Sequence, residues 1–464
     1  MRLGPRVIAE YGRPRLALIA LLAVGAAAVL AGCGGGEHVA REPTTGGSIN
    51  VAIVNNPNQE DLARLTPSLF TSPSHITVHY TILDDNTLRA LVTADMASHS
   101  SQFDVVMIGP YEAPQYGKDG SIIDLTPMAS SDKAYQLDDI VSSIRKALSS
   151  RGHLYASPFY GESSFLMYRK DVLRRAGIKM PAHPTWGQVA AIARRINRPG
   201  IAGICMRGKP GWGDLGATFT TVLNTFGGTW WSANANGSVG NAMVDRPAFR
   251  RALEFYVDLV RNAGQPNAAS DTYNECLAQY LNGKVAMWYD ATVAAGLLEA
   301  SDSPVRGKNG YAPAPVELTT ASGWLWSWAL AVPTSSTKKE LAWRYVAWAT
   351  GPQYIEEAGP RIPGGWAAIP PGTRRSTYDI PGYRKAARAF AKPTLDAIES
   401  APIDNPGTTK HPGIPGIQYV GIPQFQSVGD QCTQQFAAVI GGTLTIDSAL
   451  ATCQNIASAA VGDR

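Results

Sequence analysis

Trp212 stands between Gly211 and Gly213, with Arg207 and Lys209 a few residues upstream. Packing alone does not call for an indole between two glycines, so the loop reads as one that carries an aromatic face and two cations to a ligand. Trp326 and Trp366, in or next to glycine-containing turns, read the same way. Glu162 and Asp290 each stand just beyond a strand-like stretch, where an ion pair or a cap competes with ligand contact. More polar groups follow three other strand-like segments: Asn56 within Asn55-Asn56-Pro57-Asn58, Asp84 and Asp85 ahead of Asn86, and Tyr111 with Glu112. Asp85 or Asn86 can equally cap the next helix. Carboxylates accept from hydroxyls and cationic side chains donate to oxygens, each bond being worth about 1.5–3 kcal/mol. With aromatic walls for C–H faces, this set suits a hydroxyl-rich molecule. Glu162 and Asp290 also admit glycoside cleavage, which needs two carboxylates ~5–9.5 Å apart.

Other chemistries find little support. His75 and His79 lie four residues apart on a strand, about 13 Å at ~3.3 Å per residue, too far to share a metal. Glycines are abundant, but none forms a nucleotide-binding GxxxxGK[ST] loop. No metal and no cofactor are expected.

The elements that must position these residues begin with an alternation. Ile49–Val54, Ile76–Leu83 and Phe103–Ile108 read as strands, and Gln59–Phe70 and Thr87–Ser98 as the helices between them. That is a βαβαβ unit with a parallel sheet, whose ligands gather at the carboxyl ends of the strands. The polar loops above lie at those ends. Phe249, Leu253, Tyr256 and Val260 recur at helical spacing and are packing. Trp343 and Trp348 on a helix over Lys338–Thr350 are read as core as well. Val285–Tyr289 and Trp328–Val332 read as strands returning to the first lobe. The expected fold is therefore an α/β trap of two lobes, each a mostly parallel sheet flanked by helices, joined by a multi-strand hinge. Its N-terminal lobe would hold residues 48–156 plus about 284–333, and its C-terminal lobe 157–283 plus about 334–458. Barrel-type strand–helix repeats do not continue through the chain, which weighs against the glycosidase.

The chain opens with Arg2, Arg6, Arg13 and Arg15 ahead of an apolar run from Leu16 to Leu30. As a helix this run rises only about 22 Å at ~1.5 Å per residue, short of the ~30 Å hydrocarbon core, so residues 1–32 read as a signal peptide. Leu30-Ala31-Gly32-Cys33 resembles a lipobox, with Cys33 the lipidated first residue of the mature chain and 33–47 a flexible tether. Removing the signal peptide takes its four arginines and Glu10 from a formal charge of +4 and leaves +1. Near neutrality, with no basic stripe, nucleic acid is excluded as a partner. An exported chain can form disulfides. Cys432 and Cys453 flank Gly441-Gly442-Thr443 between two helical patterns, so a helical hairpin is expected to pair them. Cys205 and Cys276 either pair or stay as buried thiols.

Phe103–Pro114, Pro158–Ser164, Arg207–Gly213, Ala286–Gly296, Trp324–Trp328 and Gly364–Ala368, in that order, resemble the solute-binding proteins of carbohydrate ABC importers. Within that family the resemblance is to the sorbitol/mannitol-binding branch, over about Ser48 to Ser458. It implies a monomeric extracytoplasmic receptor, anchored by lipid at the outer face of the cytoplasmic membrane. Its lobes would close on a polyol for delivery to permease subunits driven by a cytoplasmic ATPase. It also implies that Tyr160, Glu162 and Asp290 contact the ligand. A pentitol, a monosaccharide or a short oligosaccharide is the alternative cargo.

Overall fold

The computed structural model describes residues 46–408 and 416–462. The stretch read as a signal peptide, Cys33 and the residues up to 45 read as a tether lie outside the described residues.

Strand β1 (Gly47–Val54), helix α1 (Pro57–Thr66), strand β2 (Ile76–Leu83), helix α2 (Asp85–Ser98) and strand β3 (Val105–Ile108) follow one another, the βαβαβ unit read from the alternation. β1 runs parallel to β2 along its whole length and to β3 at Val51 and Ala52. All four residues of β3 are buried, as required of a strand covered on both faces. Pro57 opens α1, where its missing N–H leaves no intrahelical bond unmade. The cap of α2 is Asp84, whose carboxylate accepts from the main chain and the hydroxyl of Thr87.

Strand β4 (Ser157–Glu162) ends in this sheet, and after Ser163 the chain continues as β5 (Ser164–Arg169) in a second one. There β5 lies between β6 (Met287–Ala291) and β7 (Asn309–Pro313), antiparallel to both. Strand β8 (Trp326–Ala331) comes back to the first sheet, whose order is β2-β1-β3-β8-β4 with β8 antiparallel to its neighbours. The chain thus passes between sheets at Ser163 and again between β7 and β8.

Three expectations about this region are corrected. Val285–Tyr289 does not return to the first lobe: Met287–Ala291 is wholly buried and satisfies its backbone against β5. The second sheet is antiparallel in its named strands, and parallel pairing in this region is confined, among the described residues, to isolated bridges from Thr185 to Val316, Ala202 to Val285 and Cys205 to Trp288. Helices α3 (Leu215–Thr225), α4 (Pro247–Ala263) and α5 (Tyr273–Leu281) belong to this second region, and α4 buries the Phe249, Leu253, Tyr256 and Val260 stripe. The chain does not stay with them from residue 334, because α6 (Lys339–Thr350) packs on β1, β4 and β8 of the first sheet. Aromatic contacts hold it there, Trp348 stacking on Phe70 with centroids 5.1 Å apart and Tyr345 bonding the Tyr80 hydroxyl at 2.8 Å.

Helices α7 (Phe425–Ile440) and α8 (Ile446–Gly462) pack together as the expected hairpin, but the expected disulfide is not in it. Cys432 and Cys453 are buried free thiols, the Cys432 sulfur lying 4.0 Å from the carbonyl oxygen of Cys453. The disulfide joins Cys205 to Cys276, whose Cα atoms are 5.7 Å apart, within the ~4.4–6.8 Å that a bridge spans. Proximity in a helical hairpin was not enough to join them.

Candidate functional site

A cavity of about 280 Å3 lies where the strand ends of the first sheet meet the loops of the second region. From the first sheet come Asn56 after β1, Asp84 and Asp85 at the start of α2, Tyr160 and Glu162 on β4, and Trp326 on β8. The other wall holds Arg207, Lys209 and Trp212. These nine predicted residues line one space, although they are as far apart in the chain as Asn56 and Trp326. Asp84 shows that capping and lining are compatible, since its carboxylate does both. Lys209 reaches Asp84 across the gap at 3.7 Å, and Asn274 donates to the Asn55 carbonyl at 3.0 Å.

Arg207 is held from behind. Its Nε and one terminal nitrogen donate to the two Asp290 oxygens at 2.9 and 2.6 Å, and the other donates to the Gly213 carbonyl at 3.0 Å. Asp290 also accepts from the Trp288 indole at 3.1 Å and the Ala291 N–H at 2.7 Å. Fully buried and saturated, it does not line the cavity. The expectation that Asp290 contacts ligand is thus corrected: a bidentate guanidinium occupies the carboxylate, and what faces the cleft is Arg207.

Three more expected contacts sit elsewhere. Glu112 is taken up by Arg89 and by the Gly109 N–H at 2.9 Å. Tyr111 packs behind Trp212, centroids 4.7 Å apart, and its hydroxyl donates to the Ile422 carbonyl at 3.0 Å. Trp366 lies in a short turn against Gly359 and Gly382, where a Cβ at either glycine would strike its ring. Gly364 and Gly365 beside the indole in sequence made it look like a ligand platform, but two other glycines, Gly359 and Gly382, provide its packing slot.

The lining also includes residues the sequence reading missed, among them Arg89, Asp214, Tyr273, Trp324, Trp328 and Gln418. Two signals were available. Trp324, Trp326 and Trp328 alternate, so the period of a strand puts all three on one face. Arg89 follows Asp85 by four residues, one turn on, and the two form an ion pair. The Arg89 guanidinium carbon lies 4.1, 4.9 and 4.8 Å from the ring centres of Trp212, Trp326 and Trp328. Gln418 carried no signal, since only the folded chain brings residue 418 to residue 325, where its amide donates to the Leu325 carbonyl at 2.8 Å.

The electrostatics follow from burial. Desolvation pushes the Glu162 carboxyl up to about 8, against the pull of nearby Arg207 and with a further push from Asp290. The Trp324 indole N–H faces this carboxyl without closing a well-formed bond. Asp214 rises to about 7, by burial and by the facing Asp85. Near neutral pH Glu162 is thus mostly protonated, able to donate as well as accept, while Arg207 keeps its charge. A hydroxyl, itself both donor and acceptor, meets complementary groups on each wall.

Residues 58–356 match the family of bacterial extracellular solute-binding proteins. This chain belongs to that family. As an extracellular solute-binding protein it is not an enzyme, and the glycosidase reading falls with the family and with the engagement of Asp290. It is 40% identical to the mannitol-binding protein of Pseudomonas aeruginosa over 88% of this chain and 91% of that one. A second relative, the erythritol/L-threitol-binding protein of Mycolicibacterium smegmatis, is 26% identical over 74% of each chain. The solved structure of an ABC transporter solute-binding protein from Agrobacterium vitis S4 with bound D-mannitol superposes with a TM-score of 0.84. It shares 41% identity, over 88% of this chain and 97% of that one. These likenesses establish the two-lobed α/β architecture of a solute-binding protein.

Proposed function

We propose that this solute-binding protein captures an acyclic polyol, a hexitol of the mannitol or sorbitol type, and hands it to the permease of an ABC importer. The observation that carries the reading is the cavity itself. At about 280 Å3 it falls just below the ~300–1,000 Å3 of sites for drug-sized ligands, a size for one six-carbon chain rather than an oligosaccharide. Arg207, Lys209, Asp84, Asp85, Glu162 and Asn56 supply hydrogen bonds to hydroxyls, and Trp212, Trp324, Trp326 and Trp328 supply faces for the carbon backbone. The 40% identical relative named for mannitol and the mannitol-bound structure support the same class. Export through residues 1–32 and a lipid anchor on Cys33 complete the proposal, with the mature chain acting as a monomer.

The test is a thermal-shift panel of hexitols, pentitols, aldoses and disaccharides, followed by titration calorimetry. Ligand at 100 times its Kd stabilises the folded state by about 2.7 kcal/mol, so a binder raises the melting temperature clearly. A shift with hexitols above all others is the expected result. A shift with aldoses or disaccharides alone overturns the polyol reading.

A further inference from the structure

The cleft has a neighbour. A second cavity of about 240 Å3 opens between the start of α2, the Pro210–Trp212 loop and α7, with Asn86, Gln426, Asp430 and Gln434 in its lining. Among the described residues only Arg89 and Trp212 border both spaces. They lie one on the other, as the 4.1 Å approach already given shows, and Trp212 is only 1% exposed.

This partition is braced on several sides. The Trp212 N–H donates to Asp430 at 2.8 Å, the Gly211 N–H donates to the Thr433 hydroxyl at 2.8 Å, and the Asn86 amide donates to the Pro210 carbonyl at 2.9 Å. Gly211 has a φ of +141°, and a Cβ there would lie 2.3 Å from the Asn86 side chain. A Cβ on Gly429 of α7 would lie 2.6 Å from that of Trp212. The loop can therefore seat the indole this deeply only where glycine stands. Arg89 brings no free charge to the wall, because Asp85 and Glu112 both pair with it. Beyond the partition Asn86, Gln426, Gln434 and Asp430 offer amides and a carboxyl to hydroxyls, and Ala90 and Pro210 offer apolar surface to a carbon chain.

We infer that Trp212, backed by Arg89, sets the upper limit on ligand length. With the indole in place the site ends after one six-carbon chain. With it removed, the two cavities become one groove of mixed polar and aromatic lining that admits a hexitol bearing an additional sugar ring. This inference rests on the polyol reading above. Exclusion by a rigid wall is a steric form of discrimination and needs no unfavourable charge.

The experiment is titration calorimetry with D-mannitol and with maltitol, a glucosyl hexitol. Wild-type protein, Trp212→Ala, Gln434→Trp and the Trp212→Ala/Gln434→Trp double variant are compared, and circular dichroism checks each fold. Wild type is expected to bind mannitol and to take maltitol at least about a hundredfold more weakly. Trp212→Ala should improve maltitol binding by about tenfold or more, the scale of pocket-size effects, while losing mannitol affinity. Gln434→Trp alone should leave mannitol binding unchanged, and in the double variant it should cancel the maltitol gain by filling the second cavity. If Trp212→Ala does not fold, Trp212→Leu, which keeps an apolar side chain on Gly429, is read in its place. A folded variant with no maltitol gain, or a gain that Gln434→Trp leaves intact, overturns the length limit while mannitol binding upholds the polyol reading. A wild type that binds no polyol overturns both.

Discussion

The two walls of the cleft are built on different principles. On the first-sheet side, Asn56, Asp84 and Asp85 stand where strands end and helices begin, and Tyr160, Glu162 and Trp326 project from strands. Their positions follow from backbone pairing that extends well beyond the site. On the second side, Arg207, Lys209, Trp212 and Asp214 lie on a glycine-containing loop with no regular structure of its own. That loop is held by side chains: the buried Arg207–Asp290 pair, the Tyr256 hydroxyl donating to the Arg207 carbonyl at 2.6 Å, and the Cys205–Cys276 bridge just upstream. This bridge ties the segment leading to Arg207 to α5, which begins at Tyr273 in the cavity lining. A site residue on a sheet edge is thus steadied by many weak bonds, and one on a loop by a few strong ones. Single substitutions should therefore hurt the second wall far more than the first.

The largest effect is expected at Asp290. Asp290→Ala strips the largely buried Arg207 guanidinium of its partner, and breaking such a pair costs about 3–5 kcal/mol. Chemical denaturation should show that loss together with weakened polyol binding, since Arg207 no longer has a fixed orientation. A loss below 1 kcal/mol would mean that the loop is held by other contacts.

The disulfide comes next. Cys205→Ser/Cys276→Ser should cost about 2–5 kcal/mol, and hydrogen exchange should rise in residues 205–214 and 272–276 while β1 and β2 keep their protection. Non-reducing peptide mapping of exported protein checks the pairing directly, and a Cys432–Cys453 peptide in place of Cys205–Cys276 would refute it.

The last effect belongs to the first wall, and its sign is opposite, since the substitution stabilises where the other two destabilise. The folded-state value of Glu162, about 8, lies above its ordinary 4.5. Between these values the folded chain keeps a proton that the unfolded chain has released, so stability falls as pH rises through that window and levels off beyond it. Glu162→Gln removes this contribution, up to about 1.4 kcal/mol per pH unit. The variant should match wild type near pH 4 and be the more stable of the two at pH 8–9, with a residual slope below pH 7 from Asp214. Equal melting temperatures at pH 9 would show that Glu162 ionises freely.

Much of the first wall was legible because local signals coincide with global ones there. In a βαβ unit the strand ends are readable from hydrophobic alternation, and the topology sends them all to one edge, so Asn56, Asp84 and Asp85 could be grouped before any contact was known. The Arg207–Trp212 loop was legible from composition, an indole and two cations among glycines. Asp290 and Trp366 show the limit of such reading. A carboxylate at a strand end looks the same whether it faces a cavity or a guanidinium, and an indole beside glycines looks the same whether it faces a ligand or packs against the fold.

By itself, then, the sequence determined the βαβαβ start, the helical hairpin at the C-terminal end, and the kinds of side chain available to a hydroxyl-rich ligand. Each of these depends on periodicity or composition within a short window. The tertiary structure alone decided which carboxylate stays in the cleft, which cysteines join, that β6 leaves the first sheet, and that Gln418 arrives at the site. Those outcomes depend on desolvation and on pairing between residues far apart in the chain, where the cost of burying a charge or a backbone group is set by whichever partner folding brings to it.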